Sequence, residues 1–403
     1  MNAIRIAVVS DVHVGGARCA DLCPVPPPGA TTERYIDRFC DFAIANALSA
    51  DLLACPGDAT HTLQANEVAL ATAALTRISA AVGVSLDRVF AVPGNHDVNW
   101  AVLTGTGNEH DPAWDTRFIP LRGGGHLLST ACSQGGGNLF DAPFYSITST
   151  PQALVLQINT AAFDGKNPPH HGRVAQTTVD AIATELALLP VDENQLRLAI
   201  VHHHPIQYSN PLPDDPDFSI MVNAGNLLTV LQHNYFDLMI HGHRHAPKIT
   251  AHSLDGLHPL VILGAGSFSA RLDTRWAGIV NNQFHIVDIE GRSNNGCVFG
   301  SLRSWAFVAH PGWIRSAVHN GIEHRRYFGL HLVPAELDVR LRAAIAPLRG
   351  PGARVLAEQI LTADPQLLRA SLPAFTAALD RFRVAEGIEI YGTPPDDFVM
   401  IFP

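Results

Sequence analysis

The stretch Ile4-Arg5-Ile6-Ala7-Val8-Val9-Ser10-Asp11-Val12-His13 begins as a β-branched apolar run and ends on two polar side chains. A run of this kind suits a strand that is buried on both faces of a sheet. Residues two apart in an extended segment share a face, so we expect Asp11 and His13 to point the same way. The stretch therefore predicts a central strand that delivers a carboxylate and an imidazole to one place.

Polar groups of the same kind follow other apolar runs along the chain. Together with Asp11-Val12-His13 we call them the polar islands: Gly57-Asp58, Gly94-Asn95-His96-Asp97, His203-His204-Pro205 and Gly242-His243-Arg244-His245. Carboxylates, amide oxygens and imidazoles are ligands that divalent Zn, Mn and Fe accept, and the residue types do not distinguish among these metals. A single island is a weak signal, but this series offers enough ligands for two adjacent metal ions. It predicts a two-metal hydrolytic site.

Strand-like and helix-like segments alternate in the first half of the chain. Apolar runs at 4–9, 52–55 and 89–92 are separated by helical periodicity at 35–48 and 67–81. This β-α-β-α-β order indicates parallel strands with helices packed outside. Further strands are predicted at 153–158, 196–201, 236–240, 260–263 and 283–289, with helices at 177–189 and 225–232.

Two other regions do not follow this alternation of strands and helices. Residues 99–144 are rich in glycine, which predicts a long loop beside the third island. Helical periodicity returns at 335–348, 352–361 and 365–383. We therefore expect a main domain at 1–304 and a mostly helical C-terminal extension at 305–403.

Composition excludes several classes of protein. The 403 residues include 47% hydrophobic and 16% charged residues, which favours a large folded core over disordered tails. The formal net charge of -10 does not favour nucleic acid as a partner. No apolar run is long enough to span a membrane, the N-terminal run is a strand and not a signal peptide, and no CxxC pair occurs. We predict a cytoplasmic protein, and a homo-oligomer is compatible with the sequence.

The islands suggest individual chemical roles. Asp58 can bridge two metals with its two carboxylate oxygens, and Asn95 adds a neutral ligand that keeps the metals Lewis acidic. His96 is left over as a general acid for the leaving group, with Asp97 beside it to orient the imidazole. Arg244 could reach a substrate phosphate.

The fourth island leaves a choice of ligand. His202, His203 and His204 are consecutive, and neighbours at a strand end point to opposite faces. At most one of the three is therefore expected to bind metal.

At these positions the chain resembles the calcineurin-like metallophosphoesterase superfamily, whose pattern is D-x-H, G-D, G-N-H-[DE], H and G-H-x-H. The resemblance covers roughly residues 4–290 and implies a four-layer αββα sandwich of two mixed β-sheets flanked by helices. It selects His203, the first histidine of H-H-P. One metal ion would be held by Asp11, His13, Asp58 and His245, and the other by Asp58, Asn95, His203 and His243.

The resemblance also narrows the activity. The stretch after Gly57-Asp58 lacks the D-R-G of the protein phosphatases in this superfamily, and Asp97 stands where those enzymes have glutamate. The pattern is more similar to the class III cyclic-nucleotide and small phosphodiesterase branch. The expected reaction is hydrolysis of a small phosphodiester by a metal-bridging hydroxide, with His96 as general acid. The alternatives are an SbcD-type nuclease and a non-catalytic metal-binding scaffold.

Overall fold

The computed structural model describes most of the chain. The described residues are 1, 3–26, 34–100, 114–122, 127–135, 137–164, 171–207, 219–254, 256–272, 280–293, 296–317, 321–395 and 397–403. They form two compact units, one made of Met1–Asp288 with Arg303–Arg325 and the other of Ile289–Leu302 with Arg326–Pro403. Residues 289–302 thus belong to the smaller unit and residues 303–325 to the larger one, so the chain passes between the units more than once. The expected boundary at residue 304 stays a prediction.

The opening stretch of the sequence lies in a seven-stranded sheet. Its strands are β1 (Ile4–Val8), β2 (Leu52–Cys55), β3 (Val89–Ala91), β10 (Gln283–Arg292), β11 (Val298–Phe307), β12 (Trp313–Arg315) and β13 (Arg325–Phe328). The main path runs in the order β12-β11-β10-β1-β2-β3, and β13 pairs with β11. β1 pairs with β2, and β2 with β3, in parallel register. This confirms the parallel pairing predicted from the β-α-β-α-β order.

The second sheet has six strands in the order β4-β5-β6-β7-β9-β8. They are β4 (Tyr145–Ser149), β5 (Ala153–Ile158), β6 (Leu196–Ile200), β7 (Leu238–His241), β8 (Lys248–His252) and β9 (Leu260–Gly264). The four inner strands are parallel and the two outer strands antiparallel. Every residue of β5, β6, β7 and β9 is buried, as expected for strands covered on both faces. Two mixed sheets with flanking helices confirm the predicted α/β class.

The helices of the larger unit are amphipathic and bury one face. They are α1 (Tyr35–Ala45), α2 (Ala65–Ala81), α6 (Gln176–Ala187) and α7 (Ala224–His233). Three short helices, α3 (Trp114–Arg117), α4 (Ile119–Arg122) and α5 (Leu127–Ala131), lie where the sequence predicted one long loop. Residues 101–113, 123–126 and 136 of that glycine-rich region are outside the described residues.

A side chain from β5 of the second sheet reaches the edge strand β3 of the first. The amide of Gln157 in β5 donates to the carbonyls of Ala91 in β3 (2.6 Å) and Ala131 in α5 (2.8 Å). Gln157 is fully buried, so these bonds replace the water that its amide would otherwise require. They join the two sheets on the side where the loops after β2 and β3 emerge.

His285 in β10 provides a second polar link between the sheets. Its Nδ1 lies 2.8 Å from the Ser304 hydroxyl in β11, and its Nε2 lies 2.7 Å from the carbonyl of Ala265, just after β9. Nε2 must carry the proton because a carbonyl can only accept, so Nδ1 accepts from the hydroxyl. Burial lowers the pKa of His285 to about 4, with the Ala265 bond opposing that shift.

We expect His285 to make stability depend on pH. In the unfolded chain this histidine is protonated below about pH 6.5, whereas in the folded protein it stays neutral down to about pH 4. The contribution of neutral His285 to the free energy of unfolding is therefore fully present above pH 6.5 and is lost as the pH falls toward 4. The loss between pH 7.5 and 4.5 should be about 2–3 kcal/mol. Urea unfolding of the metal-free protein measures it, and His285→Gln should lose correspondingly less over the same interval. Equal pH slopes in both proteins would contradict the assignment.

The smaller unit combines helices with a three-stranded sheet. The helices are α8 (Pro334–Ile345), α9 (Ala357–Ala363) and α10 (Leu372–Glu386), with a 3₁₀ helix at Pro365–Arg369. The sheet has the order β14-β16-β15, made of β14 (Arg354–Leu356), β15 (Glu389–Thr393) and β16 (Asp397–Ile401). Its own apolar core includes Leu341, Ile360, Phe375 and Met400. The sequence predicted these helices, but it did not predict the sheet.

Candidate metal centre

The polar islands converge where the strands of the two sheets end. Asp11 and His13 follow β1, Asp58 follows β2, and the third island follows β3. The histidines after β6 and β7 come from the second sheet. The carboxyl ends of neighbouring parallel strands open at the same edge, which brings residues far apart in sequence together.

One cluster of donor atoms contains three of the predicted ligands. The Nε2 of His245 lies 3.3 Å from Asp11 Oδ1 and 3.2 Å from His13 Nε2. The Nε2 of His13 is also 3.5 Å from Asp58 Oδ2. Asp11, His13 and His245 form a group able to hold a metal ion, and Asp58 stands at its border.

A second cluster forms around the amide oxygen of Asn95. The Nδ1 of His243 and the Nε2 of His202 each lie 2.9 Å from Asn95 Oδ1. His202 Nε2 is also 3.4 Å from Asp58 Oδ2. The same oxygen of Asp58 therefore lies between an imidazole of each cluster, which is the position that a bridging carboxylate needs.

The histidine that meets Asn95 and Asp58 is His202. Its Nδ1 donates to the carbonyl of Pro56 (2.8 Å), which leaves Nε2 as the nitrogen that faces Asn95 and Asp58. The Nδ1 of the predicted ligand His203 lies 2.9 Å from the Thr160 hydroxyl, and with His202 and His243 it forms a group whose nitrogens could hold a metal ion. His204 is buried, and its ring lies parallel to that of His243 with centroids 6.0 Å apart.

The backbone at the clusters differs from the extended geometry expected for Asp-x-His. β1 ends at Val8, and Asp11 and His13 have φ angles of 52° and 50°. His243 and His245, with φ of 71° and 51°, show the same departure, and Asp58 has φ of 53°. Left-handed φ is uncommon for residues other than glycine and marks functional strain. Asp11 and His13 do meet, but strained turns bring them together and not a shared strand face.

Glycines let the loops approach the carboxylates closely. A Cβ on Gly94 would lie 2.1 Å from Asp58 Oδ1, and one on Gly242 would lie 2.4 Å from Asp11 Oδ2. No side chain fits either space. The glycines of the third and fifth islands are thus explained by contact with a predicted ligand of another island.

Burial sets the protonation of several imidazoles. It lowers the pKa of His13 and of His243 well below the ordinary value, so both rings are neutral near pH 7. Burial also acts to lower the pKa of His202. The nearby Asp58 and Asp11 carboxylates outweigh that effect and raise the pKa to about 9. Neutral imidazole is the form that binds metal, and a bound cation would oppose protonation of His202.

Asp97 contacts backbone groups of two loops. Its Oδ1 accepts from the Thr60 N–H (2.8 Å) and hydroxyl (2.7 Å), and its Oδ2 accepts from Ala59 N–H (3.1 Å) and Gly94 N–H (3.0 Å). Burial, with the nearby charge of Asp58, raises its pKa to about 6. Asp97 therefore ties the loop after β2 to the loop after β3, which differs from the predicted pairing with His96.

His96 is held beside the clusters by its backbone and its ring. Its N–H donates to Asp58 Oδ1 (2.8 Å), and its Nδ1 lies 3.0 Å from the carbonyl of His61. The His96 and His13 rings meet edge to face with centroids 4.6 Å apart. Arg244, between two predicted ligands, is partly exposed.

The residues present fit a pair of divalent cations. The donor set combines two carboxylates, an amide oxygen and four imidazoles, and five of these seven groups are buried. The Nε2 atoms of His13 and His245 lie 3.2 Å apart, close enough to bind one cation together. Sequence reasoning considered His202 but did not select it, although it lies in the second cluster, and it set aside His61, which groups with His13 and His96.

Comparison with known proteins places these residues in a family context. Residues 4–247 match the family model described as calcineurin-like phosphoesterase, which is more than half of the chain and includes all the islands. No curated protein matches the sequence.

Similar solved structures include a dimetal phosphatase from Danio rerio. It has 13% sequence identity and a TM-score of 0.46, and the alignment covers 78% of this chain and 96% of that one. A purple acid phosphatase from yellow lupin (Lupinus luteus) has 12% identity and a TM-score of 0.46, with 76% and 52% covered. The calcineurin-like phosphoesterase YfkN from Bacillus subtilis has 13% identity and a TM-score of 0.34, with 95% and 99% covered.

Proposed function

Because the chain belongs to the calcineurin-like phosphoesterase family, we propose that it is a two-metal phosphodiesterase that hydrolyses a nucleotide-type or other small phosphodiester. The observation that carries the proposal is the position of Asp58 Oδ2, 3.5 Å from His13 Nε2 and 3.4 Å from His202 Nε2. A carboxylate between two imidazole clusters is the arrangement that two adjacent cations require. Mn, Fe and Zn all suit the donor set.

The charge of the donor set suits an anionic phosphoester. Asp11 and Asp58 are its two carboxylates, so two divalent cations would leave a net formal charge of about +2. Because this charge attracts a diester monoanion and a monoester dianion alike, the choice of a diester is supported by the sequence pattern and needs the substrate test given below. Arg244, at the edge of the centre, is the arginine proposed to contact the substrate phosphate.

The metals would act as Lewis acids and activate water as the nucleophile. Asp11, His13, Asp58 and His245 would hold one of them, and Asp58, Asn95, His243 and His202 the other. The choice of His202 over the predicted His203 is supported by its distances to Asn95 and Asp58. His96, whose Nδ1 donates to the His61 carbonyl, would protonate the leaving oxygen through Nε2. Asp97 keeps the loops of Asp58 and Asn95 in register.

Substitution of the adjacent histidines distinguishes the two ligand assignments. We expect His202→Ala to lose one metal ion per chain, because Nε2 of His202, like Nδ1 of His243, lies 2.9 Å from Asn95 Oδ1. His203→Ala should keep both metals while losing the side-chain bond to Thr160. Mass spectrometry of the native protein counts bound metals. Loss of metal in His203→Ala with retention in His202→Ala would restore the sequence-based assignment.

A substrate panel tests the proposed activity. Bis-p-nitrophenyl phosphate, p-nitrophenyl phosphate, cyclic mononucleotides and dinucleotides would be compared after Mn is added back to the protein. We expect kcat/KM for a diester to exceed that for the monoester by roughly tenfold or more, a difference of about 1.4 kcal/mol in transition-state stabilisation. The reverse preference would make the protein a phosphomonoesterase.

Including single-stranded oligonucleotides in the panel tests the nuclease alternative. Their binding should weaken steeply with salt if phosphates are neutralised by the protein. The net charge of -10 leads us to expect no such binding. A protein that holds two metals and hydrolyses nothing in the panel would support the scaffold alternative.

Location and assembly are proposed on the sequence alone. Among the described residues, no helix has the length and apolar character that crossing a membrane would require. The proposed cytoplasmic location and the proposed homo-oligomer are supported by composition and not by a contact in the molecule.

A further inference from the structure

His61 belongs to the candidate centre but has no role in the proposed chemistry. It follows Asp58 by three residues and is partly exposed. With His13 and His96 it forms a cluster of three imidazoles. Its ring stacks on that of His96, with centroids 4.9 Å apart and an angle of 16° between the planes.

His61 lies on the side of His13 that faces away from the predicted ligands. The Nε2 of His13 points to Asp11, Asp58 and His245, whereas its Nδ1 lies 3.4 Å from His61 Nδ1. The two nitrogens of an imidazole point in different directions, so His13 faces the predicted metal ligands with Nε2 and faces His61 with Nδ1. His61 is therefore placed beside the metal ligands and not among them.

The position of His61 is fixed by the loop that follows β1. Its N–H donates to the Val14 carbonyl (2.9 Å). Gly16 lies against its ring, since a Cβ there would be 2.6 Å from His61 Cγ. With His96 stacked on it as well, the imidazole of His61 has little freedom to turn.

His61 also contacts His96 through its backbone. Its carbonyl accepts a hydrogen bond from His96 Nδ1 (3.0 Å), which assigns the Nδ1–H tautomer to the neutral ring. The stacked ring of His61 restricts rotation of the His96 side chain, and the carbonyl sets its tilt. One residue thus controls both the tautomer and the orientation of His96.

We propose that His61 is a positioning residue that holds His96 in the orientation needed to deliver a proton to the leaving group, an inference that rests on the proposed function. Its imidazole acts through its flat surface and not through its nitrogens. A general acid that is free to rotate spends less time aligned with the leaving oxygen, so the rate falls without a change in substrate affinity.

Two substitutions separate the flat surface from the nitrogens. His61→Ala removes the stacked ring, and His61→Phe keeps a flat ring without a nitrogen. We expect His61→Ala to lower kcat for an alkyl-ester substrate by about tenfold or more with KM and metal content unchanged. His61→Phe should recover most of that loss. His233→Ala, at an exposed histidine of α7, serves as the control.

NMR on the metal-free protein provides a readout independent of hydrolysis. Long-range ¹H–¹⁵N spectra should show His96 as one Nδ1–H tautomer in the wild type and in His61→Phe. His61→Ala keeps the backbone carbonyl but frees the His96 ring to turn away from it, so this variant should show a mixture of tautomers. The spectra still decide the positioning of His96 if no phosphodiester is cleaved. A His61→Ala protein with unchanged His96 signals, with lost metal, or with a kcat that phenylalanine does not restore would overturn the proposal.

Discussion

Asp58→Ala is expected to empty both metal positions and abolish phosphodiester hydrolysis. Its Oδ2 lies 3.5 Å from His13 Nε2 and 3.4 Å from His202 Nε2, and its Oδ1 accepts the N–H of His96. Alanine would leave Asp11 as the sole carboxylate of the predicted ligand set, with about half of the negative charge that attracts the cations. Native mass spectrometry and a bis-p-nitrophenyl phosphate assay measure the two effects.

The controls for Asp58 separate metal loss from unfolding. Asp58→Asn keeps the shape of the side chain and the acceptor for His96 N–H, so it should fold while still losing metal. Asp41→Ala, at an exposed aspartate, should retain both metals and full activity. Two metals bound per chain in Asp58→Ala would exclude Asp58 as the bridge.

His96→Ala is expected to keep both metals and to slow cleavage of poor leaving groups by roughly 10²–10⁴-fold. An alkoxide needs a proton as it departs, whereas p-nitrophenolate leaves readily without one. The variant should therefore lose much less activity on bis-p-nitrophenyl phosphate than on an alkyl diester. The same factor of loss on both substrates would show that His96 does not act as a general acid.

A matched variant guards against an effect of His96 on the metals. His96→Asn retains a polar side chain and the backbone N–H that donates to Asp58 Oδ1. It should reproduce the leaving-group dependence of His96→Ala with unchanged metal content. Metal loss in both variants would instead place His96 among the ligands.

Strands with buried apolar runs were predictable from the sequence. β2 and β5 were predicted at 52–55 and 153–158, and the structure has them at those residues. β8 was missed because its Lys248–His252 run is only partly buried and has no apolar periodicity to reveal it. β14 and β15 were missed because each is stabilised by pairing with β16, a contact between segments distant in sequence.

Among the site residues, the sequence indicated the type of chemistry better than the individual partners. The islands supplied a carboxylate, an amide or an imidazole at each strand end. The partners of Asp97, at Ala59 and Thr60, lie 38 and 37 residues away and could not be read from its neighbours. Similarly, the sequence does not show that His202 Nε2 lies 2.9 Å from Asn95 Oδ1, the distance that supports His202 over His203 as the proposed metal ligand.

The opening stretch, with the islands that follow it, determined by itself that this chain has a parallel α/β core and a set of candidate metal ligands at the ends of its strands. Those features depend on residue type and on local periodicity, which a sequence displays directly. Only the tertiary structure decided which imidazole faces Asn95, that Asp97 joins two loops, and that His61 stacks on His96. These depend on left-handed turns at Asp11, His13 and Asp58 and on contacts between separate strands, where small changes in backbone angle redirect a whole side chain.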